Sequence, residues 1–185
     1  MNPSVPQSLA EKTVSSREIF KGQILRVRLD EAETPSGAVR PREVVEHPGG
    51  AAVLGLLPNG NILLVKQYRY PLQDMLYEFP AGKLDPGETP LTSIKRELEE
   101  ETGYLADHWE EITTIVTSPG FCDEKITLFK ATGLKLSPNP RREEDEFIEV
   151  LEASPAQLKQ MIRDCQLIDA KTICALAVMM PEALQ

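Results

Sequence analysis

Gly82 to Tyr104 reads GKLDPGETPLTSIKRELEEETGY, and this stretch decides how the rest of the chain is read. Pro86-Gly87 is a turn signal. From Glu88 to Thr102 there is no further glycine and only one proline, Pro90, near the start. The pattern predicts a loop that runs into a helix, stopped by Gly103. On that helix Glu97, Glu100 and Glu101 stand at i, i+3 and i+4 and share a face. Leu91, Ile94 and Leu98 repeat at i, i+3 and i+7 and predict the adjoining core face.

Three carboxylates on one face repel one another and call for positive charge. Lys95 and Arg96 can supply it as ion pairs, which is the ordinary fate of an acidic helix face. An all-oxygen cluster also suits a hard cation such as Mg²⁺ or Mn²⁺. Gly82 and Glu88, at fixed distances upstream, favour the second use.

The stretch resembles the Nudix box: a glycine, then a glutamate, then Arg-Glu-aliphatic-x-Glu-Glu-x-Gly-aliphatic. Arg96, Glu97, Leu98, Glu100, Glu101 and Gly103 meet it, with Gly82 and Glu88 ahead of them. Tyr104 stands where an aliphatic residue is usual. The resemblance implies an α/β fold, the Nudix α/β/α sandwich with a mixed sheet, and Mg²⁺-dependent hydrolysis of a nucleoside diphosphate linked to another moiety.

Length and composition set the outer bounds. The chain of 185 residues suits one catalytic domain with room for a core. Its 29 acidic against 20 basic residues leave a net charge of −9, which argues against nucleic acid as a partner. An anionic phosphate substrate then requires cations at the site. Cys122, Cys165 and Cys174 are odd in number and lack metal-ligand spacing, which suggests buried, reduced thiols. The first residues lack a basic start and an apolar run, and no stretch is long and apolar enough for a membrane span. A cytoplasmic location is the expectation.

Along the chain, residues 1 to about 14 read as a polar tail. Ser16–Glu33 and Val39–His47, separated by the turn Thr34-Pro35-Ser36-Gly37, read as a pair forming an antiparallel β arm. The expected division is 1–48 for tail and arm and 49–185 for the hydrolase domain. Ala51–Leu57 is continuously apolar and predicts a buried strand. Pro58-Asn59-Gly60-Asn61 then turns the chain into a returning strand, Ile62–Tyr70. Further strands are expected at Met75–Pro80, Ile112–Ser118, Lys125–Ala131 and Glu146–Leu151. Ser154-Pro155 and Asp169 mark two helix starts. The first of these helices presents Leu158, Met161, Ile162 and Cys165 on one face.

By resemblance, Ser118-Pro119-Gly120-Phe121, the strand end Val65-Lys66-Gln67-Tyr68-Arg69 and the segment Arg42–Gly49 are similar to the ADP-ribose and nucleoside diphosphate sugar branch. The resemblance implies that Arg69 and Arg42 hold phosphate or nucleoside. It implies that Phe20 or Ile24 of the arm packs on the base, with Pro119 and Gly120 also at the substrate. The arm is exchanged between two subunits in such relatives, which implies a homodimer. Metal ligands are then the carbonyl of Ala81 and the carboxylates of Glu97, Glu100, Glu101 and Glu146. Arg96 fixes the glutamates. Glu144 is the expected base, with Glu100 the next candidate. The alternatives are a Nudix hydrolase of a dinucleoside polyphosphate or oxidised nucleoside triphosphate, and a non-catalytic domain that senses a nucleotide.

Overall fold

The computed structural model describes residues 9–139 and 147–181. The chain forms two compact units. One comprises residues 1–48 with 118–124; the other comprises 49–117 with 125–185.

The first unit is a three-stranded antiparallel sheet in the order β1-β2-β3, with β1 at Lys12–Lys21, β2 at Arg26–Glu33 and β3 at Val39–Glu46. Two strands were expected. The long first run breaks because the chain reverses at Gly22, whose N–H donates to the Leu25 carbonyl at 2.9 Å. The polar stretch expected to be tail up to about residue 14 is already paired from Lys12, opposite Glu33. Backbone pairing needs no apolar side chain, so a polar strand of this kind leaves little trace in a hydrophobic pattern. The 118–124 loop joins this unit through two backbone bonds, Val45 N–H to the Phe121 carbonyl at 2.7 Å and Asp123 N–H to the Val45 carbonyl at 3.1 Å.

The second unit carries the core. Its elements are β4 (Gly50–Gly55), β5 (Ile62–Arg69), β6 (Asp74–Glu78), β7 (Ala81–Lys83), α1 (Pro90–Thr102), β8 (Tyr104–Leu105), β9 (His108–Val116), β10 (Lys125–Thr132), β11 (Lys135–Leu136), β12 (Ile148–Ala153), α2 (Pro155–Arg163) and α3 (Ala170–Met179). One sheet has the order β7-β4-β10-β9, and a second has β12-β5-β6. The first is mixed: β4 runs parallel to β10 but antiparallel to β7. Every residue of β4 is buried, as a strand covered on both faces requires.

Alternate side chains of β4 and β5 point to opposite faces and build two separate cores. Ala52, Leu54, Ile62 and Leu64 pack with Leu158, Leu167, Ala175 and Leu176 from the α2–α3 side. Ala51, Val53 and Leu63 pack with Ile94 and Leu98 of α1. Helix, sheet and helix layers result, as expected. The turn after β4 forms, with Leu57 N–H bonded to the Asn61 carbonyl at 2.9 Å. The two strands then diverge: beyond a single bridge between Leu56 and Ile62, β4 and β5 belong to different sheets. Both edges of β4 are already taken by β7 and β10, so no edge is left for a hairpin partner.

Helix boundaries follow the capping residues. Thr89 caps α1 with Pro90 in the first turn, and Gly103 ends it in the left-handed region at φ 74°. Ser154 and Gln157 form a reciprocal capping box at α2. Asp169 caps α3. Leu91 departs from the expected core face and is exposed, because it lies in the first turn of α1, outside the buried stripe of Ile94 and Leu98. The thiols are not buried as expected: Cys165 is exposed, just beyond the end of α2, and Cys122 and Cys174 are half-buried. Among the described residues no helix is long and apolar enough to cross a membrane.

Candidate active site

The site begins with a glycine. Gly82 lies in β7, paired with Ala51 of β4, and a Cβ there would lie 1.9 Å from Cδ and Oε1 of Glu97. The strand can rest on the Glu97 carboxylate only because the side chain is missing. One residue earlier, the Ala81 N–H donates to Glu101 Oε2 at 3.0 Å. Strand β7 is thus sewn to two glutamates of α1, one by packing and one by a hydrogen bond.

Arg96 gathers the remaining carboxylates. Its Nη1 donates to Glu97 Oε1 at 3.0 Å and to Glu100 Oε2 at 2.8 Å. Nε and Nη2 donate to the two oxygens of Glu88 at 3.2 and 3.1 Å. Glu88 in turn accepts from the Asp85 N–H at 3.1 Å, closing the loop ahead of the helix. The bond to Glu88, followed by those to Glu100 and the charge of Glu97, holds the Arg96 guanidinium far above its ordinary pKa against the cost of burial. The same bond, against a smaller cost of burial, lowers Glu88 below the usual carboxylate value. Arg96 is therefore a cation held among acids.

The donor set fits a hard divalent cation. Glu97 and Glu100 share one guanidinium nitrogen, Glu101 is buried and tied to the Ala81 backbone, and all the candidate ligands are oxygens. Among the described residues no group of three such side chains closes into a cage by itself. The positive charge that brings the carboxylates together comes from Arg96.

Of the other residues singled out from sequence, Arg69 belongs to the same unit. It ends β5, with Nε and Nη2 on the two oxygens of Glu78 at 2.6 and 2.7 Å. Phe20, Ile24, Arg42, Pro119 and Gly120 all fall in the unit formed by the arm and the 118–124 loop. Phe20 and Ile24 are exposed there, and Arg42 pairs with Glu11. Glu144 and Glu146 lie outside the described residues.

Sequence reasoning missed one cluster. Glu78 is 1% exposed and also takes an ion pair from Lys171, itself held by Asp169 at 3.1 Å. Glu78 and Lys171 are 93 residues apart. The available signals were single charges in apolar surroundings: Glu78 before Phe79, and Lys171 at the start of AKTICALAVM.

Carboxylates gathered on one helix face, a glycine-backed strand against them and an α/β/α core define a metal-assisted enzyme of phosphate chemistry. The chain belongs to the Nudix family: residues 46–174 match the NUDIX domain, and residues 11–45 match the nucleoside diphosphate sugar hydrolase N-terminal domain. It is 42% identical over 181 residues to an ADP-ribose pyrophosphatase of Bacillus subtilis, covering 97% of this chain and 98% of that protein. It is 40% identical over 177 residues to a methanol dehydrogenase activator of Bacillus methanolicus, covering 95% and 96%. A crystal structure of an ADP compounds hydrolase shares the fold, with a TM-score of 0.82 over 96% of both chains at 20% identity. Nudix hydrolases depend on divalent metal ions.

Proposed function

We propose that this chain hydrolyses the pyrophosphate bond of ADP-ribose and related nucleoside diphosphate sugars, yielding a nucleoside monophosphate and a sugar phosphate. The observation that carries this reading is the pairing of a complete Nudix helix with an N-terminal arm of the nucleoside diphosphate sugar hydrolase type. The likeness to an ADP-ribose pyrophosphatase along almost the whole chain supports ADP-ribose as the first substrate to try. The same arm speaks against a dinucleoside polyphosphate or nucleoside triphosphate. The presence of every box carboxylate speaks against a domain that only senses nucleotide.

In the proposed reaction a water oxygen attacks one phosphorus and the bridging P–O bond breaks. With ADP-ribose the products are AMP and ribose 5-phosphate. Mg²⁺, the cation proposed, would supply neutralising charge on the phosphoryl oxygens and acidity to the attacking water. Glu97, Glu100, Glu101, the Ala81 carbonyl and Glu146 would hold it. Arg96 keeps Glu97 and Glu100 in place and Glu88 locks Arg96. Arg69 and Arg42 hold the diphosphate and nucleoside, Phe20 or Ile24 packs on the base, and Pro119 and Gly120 border the substrate. Glu144 takes the proton from water, with Glu100 as the alternative.

The chain is proposed to act as a cytoplasmic homodimer through its arm. The ten residues of β1 are all exposed and form an edge of their sheet, and Val14, Ile19 and Phe20 stand out from that edge. An uncovered strand of that length is an invitation to pair, and a second copy satisfies it.

A panel of ADP-ribose, ADP-glucose, GDP-mannose, a dinucleoside polyphosphate and an oxidised nucleoside triphosphate, with products identified, tests the reading. Mg²⁺-dependent release of AMP and ribose 5-phosphate is expected. Turnover confined to the last two compounds, or none with any, overturns it.

A further inference from the structure

Glu78, Lys171 and Asp169 have no part in the chemistry above, yet charges are costly to place in a core unless they serve something. Four groups balance, Arg69 and Lys171 against Glu78 and Asp169. Glu78 receives both Nε and Nη2 of Arg69, the bidentate geometry that fixes a guanidinium plane as well as its charge. Lys171 pairs with the same carboxylate, on the oxygen that also accepts from Arg69 Nη2. Asp169 holds Lys171 at 3.1 Å with one oxygen and caps α3 with the other, accepting from Thr172 N–H at 3.0 Å and Thr172 Oγ1 at 2.6 Å. Thr172 Oγ1 then accepts from the Phe79 N–H at 2.8 Å. The first turn of α3 therefore grips Glu78 and Phe79, immediately before the segment that delivers Ala81 to Glu101.

Arg69 is the outward end of this chain of contacts. Its side chain keeps 39% of its exposure while Glu78 keeps 1%. Glu101 of α1 lies within its electrostatic reach. Nη1 has no hydrogen-bond partner among the described residues.

We propose that Lys171 is a positioning residue for the diphosphate: acting through Glu78, it sets the plane of Arg69 so that the free edge of the guanidinium meets a phosphate oxygen. This rests on the reading of Arg69 as a diphosphate ligand. With Lys171 in place, the Glu78 carboxylate is held by a second cation and cannot follow Arg69. With Lys171 removed, Glu78 has Arg69 as its one remaining cation. Arg69 is then drawn inward, away from a ligand.

The test is a double-mutant cycle read as affinity for ADP by calorimetry at fixed Mg²⁺, on the wild type, Lys171→Met, Arg69→Ala and the double variant. Lys171→Met is expected to weaken ADP ~10-fold, the scale of one charged hydrogen bond. In the Arg69→Ala background the same change should weaken ADP less than about 2-fold, because nothing is left to aim. Equal losses in both backgrounds, an unchanged affinity in Lys171→Met, or no binding of ADP to the wild type overturns the proposal. If Lys171→Met does not fold, Asp169→Asn keeps a capping oxygen and removes the charge behind Lys171. It should weaken ADP ~3-fold in the Arg69 background and leave it unchanged without Arg69, and no loss in either overturns the proposal. Turnover of ADP-ribose by the wild type is measured alongside. Its absence removes the hydrolase reading and leaves the binding cycle to be judged by itself.

Discussion

At the scale of single residues, the site depends on one missing side chain. An alanine at position 82 would place its Cβ on the Glu97 carboxylate, and that carboxylate ends a flexible side chain that can swing aside. Gly82→Ala is therefore expected to cost less than about 1 kcal/mol of stability but to lower kcat ~10²-fold by displacing Glu97, a proposed metal ligand. Urea unfolding and steady-state kinetics on the same preparation check both halves. The necessity of Gly82 was legible as a fixed position upstream of the helix, and so were Arg96 and its glutamates. That Glu97 is the group the strand meets was not, because nothing in the order GKLD shows that β7 and Glu97 touch.

Glu78 makes a prediction about acid. Burial pushes its carboxyl up, but the hydrogen bonds of Arg69 and the charge of Lys171 outweigh burial and hold it below the ordinary value of 4.5. Since the folded pKa is the lower one, ionised Glu78 contributes stability that is fully present above the unfolded pKa. That contribution is lost as pH falls through the folded value. Thermal melts should show a midpoint that drops as the pH goes below about 4.5. Glu78→Gln should melt lower at neutral pH and show a shallower acid slope. A parallel slope in that variant would place the acid sensitivity elsewhere.

Among elements, the helices were the most legible, because caps are local chemistry. Pro90 near the start of the Glu88–Thr102 run, Ser154-Pro155 and Asp169 announce three starts within a residue or two, and Gly103 announces one end. The strands were legible as strands but not as partners. The run Ala51–Leu57 and the turn at Asn59-Gly60 suggest a hairpin. The separation of β4 from β5 is decided by β10, which comes about seventy residues later and pairs with β4 in parallel. The small β8–β11 pair is two residues a side and gave no periodic signal. Caps also differ in what they carry. Ser154→Ala loses a surface capping box and should cost ~1 kcal/mol. Asp169→Ala loses a cap and leaves Lys171 with half its partners, so it should cost more, by ~1 kcal/mol or above. Equal losses in chemical denaturation would show that Lys171 gains nothing from Asp169.

The whole molecule divides at Pro48, with the 118–124 loop on the arm side of that division. The inclusion of this loop was not legible, since its link to the arm consists of backbone bonds between Val45, Phe121 and Asp123. Net charge of −9 alone would turn a diphosphate away, so activity must vanish when the divalent cation is removed and return with Mg²⁺. Sedimentation at micromolar concentration should find a dimer. A fully active monomer would contradict the proposal that the chain acts as a homodimer through its arm.

The central claim is that the carboxylates of α1 carry the cleavage of a pyrophosphate, and kcat of Glu97→Gln and Glu101→Gln with ADP-ribose at saturating Mg²⁺ tests it most directly. Each variant keeps the size of the side chain and removes one charge. A loss of about 10²-fold or more in both is predicted, with far-ultraviolet circular dichroism like that of the wild type. Rates near wild type in both, with the fold intact, would contradict it.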